Sequence, residues 1–252
     1  MESKRVRLLG VDLAWSGRAR SGVCALDAVG AVLDDDQIAP ELLPGWVERW
    51  RGECSVLAID GPLVVPPGSP ALRPVERELH RLYGAKHAGP FPGGGASTAM
   101  RGRVVSPAAA LAASVGGYVV DPTVSGAPHR AIEVFPAPTW IEVFGLSERV
   151  VYKRGRLAER IAGLTQLMAL LDTLATRAPA LRVAEPDRVR ERARSARTGA
   201  DWKAIEDIVD ARLCAYVALL WDLIGQPGWV VTGSGEWTDG FVVVPRSADL
   251  SA

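Results

Sequence analysis

The stretch from Val6 to Leu13 limits the possible folds more than any other part of the chain, because it is strand-length and apolar on both faces. A strand with one wet face alternates apolar and polar residues. One that is covered on both faces is apolar throughout. The chain must therefore place layers above and below this segment. Ser21 to Val29 and Ala31 to Ile38 read as two further strands turned at Gly30, and residues 40–50, PELLPGWVERW, read as a short amphipathic helix. Ser55 to Asp60 reads as a fourth strand, closed by Gly61 and Pro62. A β-β-β-α-β opening of hairpins and one crossover implies a mixed sheet in an α/β fold.

Residues 62–130 read as a loop-rich insertion with two short helices. Pro74 opens PVERELHRLY and Gly84 ends it, while Ser106-Pro107 opens an Ala-rich helix ended by Gly116-Gly117. Residues 129–135, HRAIEVF, form a buried strand cut off by Pro136. Leu157, Ile161, Leu164, Met168, Leu171 and Leu174 mark one amphipathic helix, and residues 202–224 mark the strongest helix of the chain. Between them, residues 181–200 form an Arg-rich segment, and residues 229–232 and 241–244 pair as a terminal hairpin. No repeat or linker divides the chain, so a single domain with a five-stranded mixed sheet is expected.

Charge excludes one simple explanation of function. The 29 basic and 29 acidic residues cancel, so no overall field draws in a polyanion, and any such site must be a local patch. The 3 cysteines, Cys24, Cys54 and Cys214, form no CxxC pair, which fits a reducing compartment. The first residues, MESKRVRLLG, lack the apolar run of a signal peptide, and no stretch approaches membrane-spanning length, so a cytoplasmic protein is expected.

The chemical signal is acidic residues set in apolar strands. Asp12 interrupts LLGVDLAW, Asp60 ends SVLAID, and Glu133 sits within RAIEVF. A carboxylate among apolar neighbours is costly unless paired, protonated or metal-bound, and strand carboxyl ends are where sites gather in open sheets. On the helix of residues 202–224, at about 100° per residue, the apolar arc centres on Ile205, Val209, Tyr216 and Leu220. Asp210 falls on its flank, facing the core edge. Asp207 lies further round, solvated or one layer removed from any ion, and Glu206 reads as a partner of the helix dipole. Mg²⁺ or Mn²⁺, which prefer hard oxygen ligands, would suit Asp12, Asp60 and Asp210. His80, His87 and His129 show no zinc-binding spacing.

The strings GVDLAW, the Ser21-Gly22 pair, AIDGPL, the R-x-x-E-R of Arg73 to Arg77, EVFP, Tyr152-Lys153 and EDIVDA resemble the DUF429 family. Its members are described as predicted nucleases of ribonuclease H-like fold. The resemblance runs from Gly10 to Pro245 and implies that fold. It also implies that Asp12, Asp60, Glu133 and Asp210 are the acidic site positions. Where the family often has another acid after EVFP, this chain has Ala137-Pro138, and residues 181–198 look like an addition.

The resulting expectation is a metal-dependent phosphodiester hydrolase, a nuclease, with Asp12, Asp60, Glu133 and Asp210 as catalytic residues. Asp12, Asp60 and Asp210 would hold Mg²⁺ or Mn²⁺. Positive charge for a nucleic acid, DNA or RNA, would come from Arg73, Arg77, Lys153, Arg101, Arg103 and the arginines from Arg188 to Arg197. The alternatives are a non-catalytic binding protein on the same fold and an enzyme acting on a small phosphorylated substrate. An actin-like phosphotransferase ranks low, since those enzymes pair two copies of such a fold.

Overall fold

The structure is a computed structural model, and it describes residues 6–16, 19–96 and 105–250. Seven strands form one mixed sheet: β1 (Val6–Asp12), β2 (Ser21–Asp27), β3 (Val32–Ile38), β4 (Cys54–Asp60), β5 (His129–Val134), β6 (Val230–Val231) and β7 (Val242–Val243). Their order is β3-β2-β1-β4-β5-β7-β6. The strands β1, β4, β5 and β7 run parallel, while β2 is antiparallel to β1 and β3, and β6 is antiparallel to β7. Five strands were expected. The other two come from the terminal hairpin, which joins the sheet edge through Val134 and Val243.

The both-faces-apolar reading of β1 holds. Leu8, Leu9 and Val11 are fully buried. The helix α1 (Leu43–Trp50) packs on β1 and also on α3 (Pro107–Val115). It is tied to β3 by the ring nitrogens of Trp46 and Trp50, which donate to Asp34 Oδ2 at 2.9 and 3.1 Å. The helix α2 (Pro74–Tyr83) belongs to a smaller core, in which Val75, Leu79 and Tyr83 meet Ile141, Val231 and Val242.

The last long helix, α7 (Gly199–Ile224), lies across β1, β2 and β4. Three further helices, α4 (Pro136–Phe144), α5 (Leu157–Thr173) and α6 (Arg188–Ser195), pack on α7 in turn. It is therefore covered all round, and every residue from Ile205 to Trp221 is buried. The single apolar arc expected for this helix is too narrow. The helix α4 corrects another expectation, since Pro136 does not simply end a strand but opens a helix. Pro136 and Pro138 both stand in its first turn, where a missing N–H breaks no helical bond.

The segment after α5 is docked rather than free. Arg182 hydrogen-bonds with Gly30 and Val32 beside β3. The buried Arg212 of α7 joins Asp35 on β3 to Asp187, the N-cap of α6. Among the described residues, no helix is long and apolar enough to cross a membrane.

Candidate functional site

Sheet register decides which acids can meet. Asp12 pairs with Asp60 across β1 and β4, and with Gly22 across β1 and β2. Cross-strand partners share a face, as do residues two apart along one strand. Gly10, Asp12, Gly22 and Asp60 therefore point to the same side, where α7 lies. The two glycines let the helix backbone touch the sheet. A Cβ on Gly10 would sit 2.1 Å from the Ala211 carbonyl oxygen, and one on Gly22 would sit 1.9 Å from that of Asp207. This close approach sets Asp207 and Asp210 beside Asp12.

Asp12 is the centre of the group. Its carboxyl stands against those of both Asp60 and Asp207 and raises each. Such contacts need protons, because two ionised carboxylates have only acceptors to offer. Burial drives Asp60 well above the usual carboxylate range; Lys153 opposes the rise, and Asp12 and Asp210 add to it. Burial likewise raises Asp207, to about 7, with Asp12 adding to the rise and Lys203 opposing it.

Two ammonium groups supply the opposing charge. Lys203 binds Asp207, and its Nζ lies 2.8 Å from Glu206 Oε1. Lys153 keeps 39% of its side chain exposed along the cleft, yet its Nζ lies 2.7 Å from Asp210 Oδ2. Burial opposes the charge on Lys153, but Asp210, Tyr152, Asp12 and Asp60 outweigh it and hold the proton firmly. The loop carrying Lys153 is pressed against α5 at Gly163, where a Cβ would meet the Val151 carbonyl oxygen at 2.0 Å. Asp210 itself is fully buried behind this lysine, and it also accepts from Tyr152 Oη at 2.9 Å and Trp140 Nε1 at 3.2 Å.

Asp12, Asp60, Asp207, Lys153 and Lys203 line a cleft of about 950 Å³ at the carboxyl ends of the parallel strands. Asp210 is not on its wall, so Asp207 takes the cleft-facing place expected for Asp210. Among the described residues, no three His, Cys, Asp or Glu side chains are arranged to hold an ion, and that includes Asp12, Asp60 and Asp210.

Glu133 does not join the group. Its partner on β4 is Ile59, one residue out of step with Asp60, so it projects from the opposite face. There it accepts from Arg73 Nη2 at 2.5 Å, Arg73 Nη1 at 3.0 Å and Leu63 N at 2.9 Å. Burial raises its pKa, and Arg73 opposes that rise. Arg73 is only 1% exposed and also binds Glu76 and the Val64 carbonyl. It lines the cleft as a buried structural cation, its guanidinium held by Glu133, Glu76 and the Val64 carbonyl.

Arg77 is exposed and bonds the Leu72 carbonyl, away from the cleft wall. Arg101 and Arg103 lie outside the described residues. Of the arginine run, Arg190 pairs with Asp172 and Arg192 with Asp36. Of the cations expected to bind substrate, Lys153 and the buried Arg73 are found on the cleft wall among the described residues, and only Lys153 is partly exposed there.

A family model described as "Protein of unknown function (DUF429)" matches residues 10–231. The chain belongs to this family. No curated protein and no solved structure matches it. The DUF429 match takes in every acid of the cleft, from Asp12 to Asp207, the buried Asp210 behind it, and the two glycines that seat α7. Other cleft residues in the same DUF429 span were not singled out from sequence: Lys203, Arg20, Trp15 and Phe91. For Lys203 a signal was present, since it stands three and four residues before Glu206 and Asp207, one turn apart on a helix.

Proposed function

We propose that this protein is a metal-dependent phosphodiester hydrolase on a ribonuclease H-like fold. The strand order β3-β2-β1-β4-β5, with β2 alone antiparallel among them, supports the fold. One observation carries the function: Asp12 stands between two buried carboxyls that it raises, Asp60 and Asp207, at the C-terminal edge of a parallel sheet, in a cleft of about 950 Å³. Crowded acids of this kind either keep protons or accept a cation in their place.

The donor set is all hard oxygen, which fits Mg²⁺ or Mn²⁺. Asp12 would hold the ion with one neighbour, Asp60 or Asp207, and with substrate and water oxygens, since Mg²⁺ is commonly held by one or two carboxylates; the ion would replace a proton there. When bound, such an ion supplies Lewis acidity toward a phosphoryl oxygen and an activated water. Lys153 and Lys203, released in part from their acids, stand where they can bind phosphate oxygens. Asp210, held by Tyr152 and Trp140, keeps Lys153 oriented. Arg73 and Glu133 hold the far wall of the cleft rigid.

The test is cleavage of single-stranded, duplex and hybrid nucleic acids, with and without Mg²⁺ or Mn²⁺. Cleavage should require metal and vanish in Asp12→Asn; activity that survives in this variant, or that ignores chelation, would sink the reading. A second reading has its own support. Among the described residues few unpaired cations face the cleft, which suits a small phosphorylated substrate better than a long polyanion. Hydrolysis of a small phosphodiester such as bis(p-nitrophenyl) phosphate, without nucleic acid cleavage, would favour it.

A further inference from the structure

Among the described residues the cations on the cleft wall are Lys153, Lys203, Arg73 and Arg20. Three of them are matched to acids: Lys153 to Asp210, Lys203 to Glu206 and Asp207, and Arg73 to Glu76 and Glu133. Arg20 differs. Its Nε and Nη2 donate to the Gln37 carbonyl oxygen at 3.1 and 2.6 Å, and no carboxylate of the described residues pairs with it. A carbonyl fixes the guanidinium without cancelling its charge. An arginine has five N–H donors, so three remain on this exposed side chain. The cleft wall therefore carries one positive charge that is oriented and not compensated.

Sheet register places this charge. Gly22 on β2 lies between its partners, Asp12 on β1 and Gln37 on β3. Two strand spacings of about 4.8 Å put the Gln37 backbone roughly 10 Å from that of Asp12. The Gln37 side chain reaches back toward the acids, and its Nε2 donates to Asp207 Oδ2 at 2.7 Å. Arg20 is thus anchored to the backbone of a residue whose side chain touches the acidic group, one side-chain length further out. A single phosphate bound at Asp12 is too small to reach it as well. A guanidinium fork is matched to the paired oxygens of a phosphate.

We propose that Arg20 holds a second phosphate of the substrate, next along the chain from the phosphodiester that lies at Asp12. The substrate is then an oligonucleotide with at least two phosphates rather than an isolated phosphodiester. The place of the first phosphate rests on the hydrolase reading; the free charge of Arg20 does not.

Calorimetry tests this with the dinucleotide TpT, which has one phosphodiester, and with TpT phosphorylated at its 5′ or its 3′ end, each in Mn²⁺ and in EDTA. One of the two phosphorylated forms should bind at least about tenfold tighter than TpT. Arg20→Ala should bring that form down to the affinity of TpT, and Arg20→Lys, which keeps the charge without the fork, should restore part of the difference. Arg77→Ala removes an equal charge away from the cleft wall and should leave the difference intact. Arg20 and Arg77 are exposed, so folding should survive, and circular dichroism checks it. An Arg20-dependent difference that is the same in EDTA, with no cleavage of TpT in Mn²⁺, would keep the second phosphate site and remove the hydrolase reading. Metal-dependent cleavage of TpT with no gain from either terminal phosphate would overturn the second site and leave that reading standing. A gain that survives Arg20→Ala, a gain lost equally in Arg77→Ala, or no binding of any of the three probes would also overturn the second site.

Discussion

Asp12 is the group whose charge raises both Asp60 and Asp207, so its removal has effects on each. In Asp12→Asn the Asp207 carboxyl should titrate below its present value of about 7, which carboxyl NMR would follow. The folded protein takes up protons at Asp60 and Asp207 that the unfolded chain does not hold above the ordinary carboxylate range. For these groups stability is therefore present at low pH and is lost as pH rises, for Asp207 through about 7. Asp12→Asn should match wild type in thermal stability near pH 5 and exceed it near pH 8. Mn²⁺, displacing the same protons, should bind wild type more tightly as pH rises across that value, and should not bind the variant. Glu133 belongs to another kind of acid. Glu133→Gln leaves the buried Arg73 with Glu76 as its remaining ion-pair partner, and urea unfolding should show a loss of about 1.5–3 kcal/mol. Both Asp12 and Glu133 were legible as acids in apolar strands. Their difference was not, because it depends on a one-residue offset between β4 and β5 that no local pattern records.

At the scale of elements, the contact of α7 with the sheet makes the site. Gly22→Ala would push a methyl group into the backbone at Asp207, and neither side can move without lifting the helix. Overpacking in cores typically costs about 1–3 kcal/mol, and here backbone meets backbone, so a loss at or above that range is expected on thermal unfolding. Mn²⁺ affinity should fall with it, since Asp207 moves away from Asp12. The strands and most helices could be read from sequence because their periodicity and caps are local. The helix α4 could not, since two prolines in its first turn imitate a terminator. The role of Asp207 was hidden for a different reason. A helix wheel assumes one wet face, and α7 has none over its middle because α4, α5 and α6 enclose it. The glycines were visible in GVD and in Ser21-Gly22, but what they leave room for is a helix almost two hundred residues further on.

Over the whole molecule, charge is balanced and locally paired, with Arg190 and Arg192 held by Asp172 and Asp36. If the substrate is a nucleic acid, about three cations of the described cleft wall, Lys153, Lys203 and Arg20, should meet phosphates. The slope of log affinity against log salt should then be about −2.7 for a duplex. Neutralising Arg190 and Arg192 together should leave that slope unchanged, which filter binding at graded salt would show. The site also joins distant parts of the chain, Asp12 on the first strand and Asp207 on the last long helix. A ribosome adding roughly 5–20 residues per second needs on the order of 10–40 s to get from one to the other. Throughout that interval the nascent chain has its first acids but not the helix that gathers them. The acidic cluster is thus incomplete until translation is nearly finished, and a product that ends before α7 carries only half of it.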